Sequence, residues 1–297
     1  MPTLAKHIRA RLWQSPWVQT TYALHRARRA GRELARCTPQ ATPILVYQMG
    51  KVGSSTVART LESLGLERDV HHLHYMTREE LEVGRTRHLR ATGRLPYDWC
   101  LGRALGKQIR SAPPPGPIPI VTLVRDPIAR ELSGLFQVPE FAERELRNAT
   151  GALDPPRVLA YLHHRFERVE AGLGPELWFD RELRTMFDLD VLDLPFPKHR
   201  GWEIYQNRRT RLLLLRMEDL DHTLGPALAT FLRLPDTPKT VRANERSRSG
   251  DAATYAEVLR RFRLPRARVE ALYRTRVPQH FYDADTLRRF VQRWSDH

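Results

Sequence analysis

Apolar positions recur along this chain in two rhythms. Short unbroken apolar runs rich in β-branched residues mark buried parallel strands, while apolar residues three and four apart mark helices. Ile44-Leu-Val-Tyr47 is the first such run; it passes through Gln48–Thr56 into Val57, Leu61 and Leu64, spaced along one helical face. Asp69–Tyr75 predicts a second strand, and after it a helix with Thr77 as N-cap and Glu80 closing a capping box. Another helix lies around Leu101–Ile109, Pro113-Pro-Pro-Gly-Pro117 is a stiff connector, and Ile118–Val124 predicts a third strand that runs into Arg125-Asp-Pro. Residues 155–188 read as helical and, from their many charges, as a surface layer. Asp190–Leu194, Trp202–Gln206 and Arg211–Leu215 are later strand candidates, and the pattern is helical from about residue 250. Strands alternating with helices predict an α/β fold of three layers around a mainly parallel sheet.

Residues 1–36 stand apart. They carry Lys6, Arg9, Arg11, Arg26, Arg28, Arg29, Arg32 and Arg36 against one acid, Glu33, with Leu4, Ile8, Trp13, Trp17, Tyr22 and Leu24 between them. Thr38–Pro43 then breaks the helix, so the expected organisation is a basic helical arm at 1–40 and one α/β domain at 41–297. The arm has two readings: a solvated helix packing its aromatics on the domain, or a helix that contacts a membrane surface or a partner.

At 297 residues the chain can bury a large core without staples. Cys37 and Cys100 allow at most one disulfide, and neither has a second Cys or a His at metal-ligand spacing, which excludes a disulfide scaffold and a Cys-based zinc fold. No run reaches membrane-spanning length and the N-terminus lacks a signal-peptide core, so a cytoplasmic protein is expected. The net charge of +15 favours anionic ligands. Of the 49 basic groups only Lys6, Lys51, Lys107, Lys198 and Lys239 are lysines, so arginine-rich base composition accounts for much of the bias and nucleic acid is not an expected partner.

Lys51 sits in Gly50-Lys-Val-Gly-Ser-Ser55, between a strand and a helix. Glycines let the backbone pass close to a ligand, and N–H groups at a helix N-terminus donate to oxyanions. The lysine adds a point charge, and the hydroxyls of Ser54, Ser55 and Thr56 complete a phosphate cradle. This is not a Walker A motif, because the lysine precedes the second glycine. The plain alternative is a Gly-rich turn. The second signal is Arg125-Asp-Pro-Ile-Ala-Arg-Glu-Leu-Ser133. An arginine at the C-terminal end of a parallel strand lies where open α/β sheets bind ligands, and its planar fork suits a phosphate. Otherwise Asp126 caps a helix and Arg125 pairs with it.

Together Gln48–Thr56 and Arg125–Ser133 resemble the 5′-phosphosulfate loop and the 3′-phosphate element of sulfotransferases. Those segments, with Leu194–Tyr205, Leu215-Arg-Met-Glu-Asp-Leu220 and His280-Phe-Tyr with Trp294, are also similar to a bacterial sulfotransferase-like family labelled as capsular polysaccharide synthesis proteins. The resemblance spans about residues 42–295. It implies a P-loop-like sulfotransferase fold. It also implies metal-independent, in-line transfer of a sulfuryl group from 3′-phosphoadenosine 5′-phosphosulfate (PAPS) to a carbohydrate or other small hydroxylated acceptor, leaving 3′-phosphoadenosine 5′-phosphate (PAP). By position, Gly50, Lys51, Val52, Gly53, Ser54, Ser55 and Thr56 would hold the 5′-phosphosulfate, with Lys51 on the leaving oxygen. Arg125 and Ser133 would take the 3′-phosphate, and Arg246 and Arg248 would belong to a loop that covers the cofactor.

Strand alternation places His72 and His74 on one face, near the edge where the Gly50–Ser55 loop opens, and makes them the candidate general bases. Structural histidines are the alternative. Glu218 is the next candidate base, although a helix N-terminal acid is the simpler account of Glu218 and Asp219. Trp99, Trp178 and Trp202 read as core or edge aromatics. Competing functions are a nucleotide-dependent kinase, which needs a Walker lysine and magnesium carboxylates that are not evident, and a non-catalytic anion- or membrane-binding module.

Overall fold

The protein, described as a computed structural model, is defined over residues 15–135, 145–168, 175–243 and 252–296. Five strands form its centre: β1 (Ile44–Tyr47), β2 (Val70–Leu73), β3 (Ile118–Val124), β4 (Trp202–Gln206) and β5 (Thr210–Arg216). Their order is β2-β1-β3-β5-β4, with β4 antiparallel to β5 and all other pairs parallel. β1 and β3 are buried along their whole length, as continuous apolar runs require. The expected α/β architecture with a mainly parallel sheet is therefore present. Asp190–Leu194 is not a strand. Asp190 Oδ1 accepts from Leu192 N at 3.1 Å, closing a turn whose Val191 and Leu192 drop into the core.

Twelve helices surround the sheet in the described residues: α1 (Pro16–Arg36), α2 (Ser54–Ser63), α3 (Arg78–Thr92), α4 (Tyr97–Ser111), α5 (Pro127–Leu135), α6 (Pro155–Arg168), α7, α8 (Leu220–Leu232), α9 (Ala252–Arg261), α10 (Arg266–Tyr273), α11 (Arg276–Phe281) and α12 (Ala284–Trp294). In α7, α-helical Pro175–Trp178 and Thr185–Phe187 flank a π-helical stretch, Phe179–Arg184. The β1-α2-β2 crossover runs one way along the sheet and β2-α3-α4-β3 the other, so right-handed connections put α2 and α4 on opposite faces. α1 lays Ala23, Ala27, Ala30 and Leu34 into the same core. Its exposed side carries Trp17 and Tyr22. None of the described helices is long and apolar enough to cross a membrane.

Two buried carboxylates lock outer helices onto the sheet's C-terminal edge. Glu182, in the π segment of α7, accepts from Tyr47 Oη at the end of β1, from Met76 N (2.9 Å), Thr77 N (3.2 Å) and Thr77 Oγ1 (2.6 Å). The capping box expected at Thr77 and Glu80 is thus absent: Thr77 donates to Glu182, and Glu80 pairs with Arg181 at 2.8 Å. Asp126 caps α5 through Ile128 N (3.0 Å) and Ala129 N (3.4 Å), and it accepts from Tyr273 Oη (2.7 Å) and Trp294 Nε1 (2.8 Å). Burial raises the pKa of both carboxylates, and the donated hydrogen bonds oppose it.

Candidate active site

The Gly50–Ser55 loop leaves β1 at the sheet's C-terminal edge and ends as the first turn of α2. Three of its residues hold left-handed backbone, Gly50 (φ 71°), Lys51 (φ 63°) and Gly53 (φ 85°). Successive turns of this kind aim N–H groups into one concavity, and the unsatisfied N–H groups of an α-helical first turn add those of Ser54 and Ser55. A Cβ at Gly53 would also crowd Leu220 at 3.0 Å and Met217 at 3.1 Å, so those side chains would have to shift. Lys51 is the only lysine with this geometry among the described residues, and such a backbone costs a non-glycine residue about 1 kcal/mol or more.

Gln48, fully buried, organises the floor. Its Oε1 accepts from Gly50 N, which fixes the amide so that Nε2 faces Ser54 Oγ (2.9 Å), His74 Nδ1 (2.8 Å) and His72 Nε2 (3.2 Å). His72 Nε2 also lies 2.9 Å from Ser54 Oγ, and His74 Nδ1 lies 3.0 Å from the Gln48 carbonyl. The two rings meet edge to face at 5.3 Å, on the shared face that strand alternation predicts. An amide Nε2 has two hydrogens for three partners, so each of two proton arrangements satisfies only part of these contacts. In one, Gln48 donates to His74 Nδ1 and Ser54, and Ser54 donates on to His72. In the other, His74 Nδ1–H donates to the Gln48 carbonyl, Gln48 serves Ser54 and His72, and the Ser54 hydroxyl hydrogen is released.

Burial lowers the pKa of both rings, that of His72 to about 4, helped by the neighbouring His74 and Lys51 charges and opposed by Asp98. Both imidazoles are therefore neutral at pH 7.

The second element joins the first directly. Arg125, at the end of β3, donates from Nη1 to the Lys51 carbonyl at 2.9 Å, not to Asp126. A guanidinium has five donors, so bracing the strained residue through Nη1 leaves further donors beside the loop. Ser133 lies two turns along α5 and is only 1% exposed, so part-exposed Arg125 is the accessible member of that pair. Arg246 and Arg248 fall outside the described residues. The chain leading to them is tied to α2, with Val241 N on Thr60 Oγ1 (3.0 Å) and Ala243 N on Thr56 Oγ1 (3.2 Å).

The later segments singled out in the sequence build the wall behind this site. Glu218 accepts from Asp126 N (2.9 Å) on one oxygen and Tyr282 Oη (2.8 Å) on the other. Both its oxygens are committed to joining β3, β5 and the C-terminal helices. Arg216 pairs with Asp219 at 2.5 Å and donates to the Phe281 carbonyl at 3.2 Å. Gly201 lies against that pair, where a Cβ would come within 2.4 Å of Asp219. Trp99 and Trp178 are buried, and Trp202 lies half-buried under Arg200 at 4.2 Å. Sequence reasoning quoted Gln48 without giving it a role and missed Glu182. A polar residue directly after a buried strand was the available signal for Gln48; Glu182 is one acid among several in a charged helix.

Residues 152–283 match the model of the family described as "Putative capsular polysaccharide synthesis protein". The matched segment carries α6 to α11, β4 and β5, including Glu182, Gly201, Arg216 and Glu218. It does not include the Gly50–Ser55 loop or Arg125. No curated protein and no solved structure matches the chain.

Proposed function

We propose that the protein is a sulfotransferase of polysaccharide biosynthesis, moving the sulfuryl group of PAPS to a hydroxyl of a carbohydrate acceptor. The observation that carries the reading is the Arg125–Lys51 hydrogen bond, which ties two separate phosphate-type elements into one cradle at the C-terminal edge of a parallel sheet. The family description of residues 152–283 supports a carbohydrate acceptor. A P-loop-like sulfotransferase fold is the architecture this reading entails.

In this account the N–H groups and hydroxyls of Gly50–Thr56 hold the 5′-phosphosulfate, while Arg125, with Ser133 behind it, takes the 3′-phosphate. The acceptor oxygen attacks sulfur. Its bond to sulfur forms as the bridging S–O bond breaks, and the charge left on the 5′-phosphate of departing PAP is met by Lys51 Nζ. The acceptor proton goes to a neutral histidine. His74 is the better placed of the two: with Nδ1–H on the Gln48 carbonyl, its Nε2 lone pair is free and the imidazolium is stabilised as it forms. The same arrangement releases the Ser54 hydroxyl hydrogen for the phosphate, and Gln48 Nε2, donating to Ser54 Oγ and to His72 Nε2, positions both.

The test is transfer of ³⁵S from labelled PAPS to a panel of mono- and oligosaccharides, with and without EDTA, beside γ-³²P-ATP with magnesium. Labelled sulfur on sugar, unaffected by EDTA, is the expected result. Magnesium-dependent phosphate transfer from ATP, with no sulfur transfer, would replace this reading with a kinase.

A further inference from the structure

A second basic cavity lies at the opposite, N-terminal edge of the sheet. It has a volume of about 280 Å³ and lies where Pro117 and Pro119 start β3, Arg211 starts β5, Arg68 precedes β2 and α8 ends at Phe231–Arg233. Its charged lining consists of Arg68, Arg211 and Arg233, with no carboxylate among the lining residues. Arg211 is anchored, donating to the Phe231 and Thr230 carbonyls and lying 5.1 Å over the Phe231 ring. The side chains of Arg68 and Arg233 have no hydrogen-bond or ion-pair partner among the described residues. Arg233 is also one of three non-glycine residues with left-handed backbone among the described residues (φ 56°), which holds its side chain at the helix end beside the cavity.

Like charges gathered without a counter-charge repel, and burial together with the Arg233 charge lowers the Arg211 pKa. Some surface arginines are paired, as in Arg29–Glu33, Arg261–Glu257 and Arg266–Glu270; the three here share one concavity whose lining holds no carboxylate. An uncompensated trio at a concavity raises the local concentration of anions. Arginine forks match the oxygens of phosphate and sulfate esters, and the Pro39, Pro117, Pro119 and Leu66 walls offer apolar contact to a ring. The volume is at the small end for ligand pockets and excludes a dinucleotide-sized molecule. We propose that this cavity is a binding site for a compact ring-bearing oxyanion ester, phosphate or sulfate, independent of the Gly50–Ser55 cradle.

The test is calorimetric titration with phenyl phosphate, phenyl sulfate, glucose 6-phosphate and, as the uncharged control, phenol. It is run on the full chain and on Lys51→Ala, which disables the other candidate anion site. Saturable binding of at least one ester is expected in both, absent for phenol and weaker by about tenfold or more in Arg68→Ala and in Arg233→Gly, the loss from one charge-assisted hydrogen bond. Arg233→Gly relieves the left-handed backbone, so a misfolded protein is not the explanation of its loss. The relative affinities of the phosphate and sulfate esters identify which is preferred. No ester binding to Lys51→Ala, or equal binding by Arg68→Ala, Arg233→Gly and their parent, would overturn the proposal.

Discussion

Lys51 gives a prediction in which stability and activity separate. Its φ of 63° costs a side-chain-bearing residue roughly 1–2 kcal/mol, and glycine avoids that cost while losing roughly 0.5–1 kcal/mol to its freer unfolded chain. Alanine keeps the strain and removes the ammonium; glycine removes both. Lys51→Gly should therefore be more stable than Lys51→Ala by about 0.5–1 kcal/mol, a melting shift of about 1–3 °C for a protein of this size. Both variants should lose turnover alike, by roughly 10²–10³, since each lacks the donor that meets charge on the leaving oxygen. Calorimetric melting and sulfuryl-transfer rates on the two variants check this. A glycine variant that keeps turnover, or one less stable than the alanine variant, would refute the assignment of the strain to a catalytic lysine.

Asp126→Ala leaves Tyr273 Oη, Trp294 Nε1 and two backbone N–H groups without their acceptor, and urea denaturation should show a loss of roughly 3–5 kcal/mol; a loss under about 1 kcal/mol would mean that the C-terminal helices are held by packing alone. His72, neutral to about pH 4, should show no ring titration by NMR between pH 8 and 5, whereas a midpoint near 6.5 would contradict its burial beside His74 and Lys51. His74→Ala should lower turnover by roughly 10²–10⁴ with PAP affinity retained and should abolish an acidic limb that lies below 6.5 in the parent, because burial lowers the His74 pKa. His74→Ala with full turnover and an unchanged profile would transfer the base to another group.

The strands that carry the candidate site were legible in the sequence. Ile44–Tyr47, Ile118–Val124 and Arg211–Leu215 form as the apolar runs predict, because short apolar runs suit parallel strands buried on both faces. Asp190–Leu194 failed for the complementary reason: an apolar run without a neighbouring strand to pair with becomes a buried turn. The loop and Arg125 were visible from residue types, but their hydrogen bond joins positions 74 residues apart in sequence and is created only by the adjacency of β1 and β3. Glu218 shows the same limit. As a sequence it is an acid at a helix start; in the fold its two oxygens join Asp126 N and Tyr282 Oη, contacts set by how the last helices return to the sheet.

The central claim is that the two elements form one site for a nucleotide with phosphates at both ends of its ribose. Titration of PAP against adenosine 5′-phosphate, on the parent and on Arg125→Ala, tests it most directly. The account predicts that the parent binds PAP at least tenfold more tightly than adenosine 5′-phosphate, the worth of one charge-assisted phosphate contact, and that Arg125→Ala loses most of that preference. Equal affinity of the parent for the two nucleotides, or a preference that survives in Arg125→Ala, would contradict it.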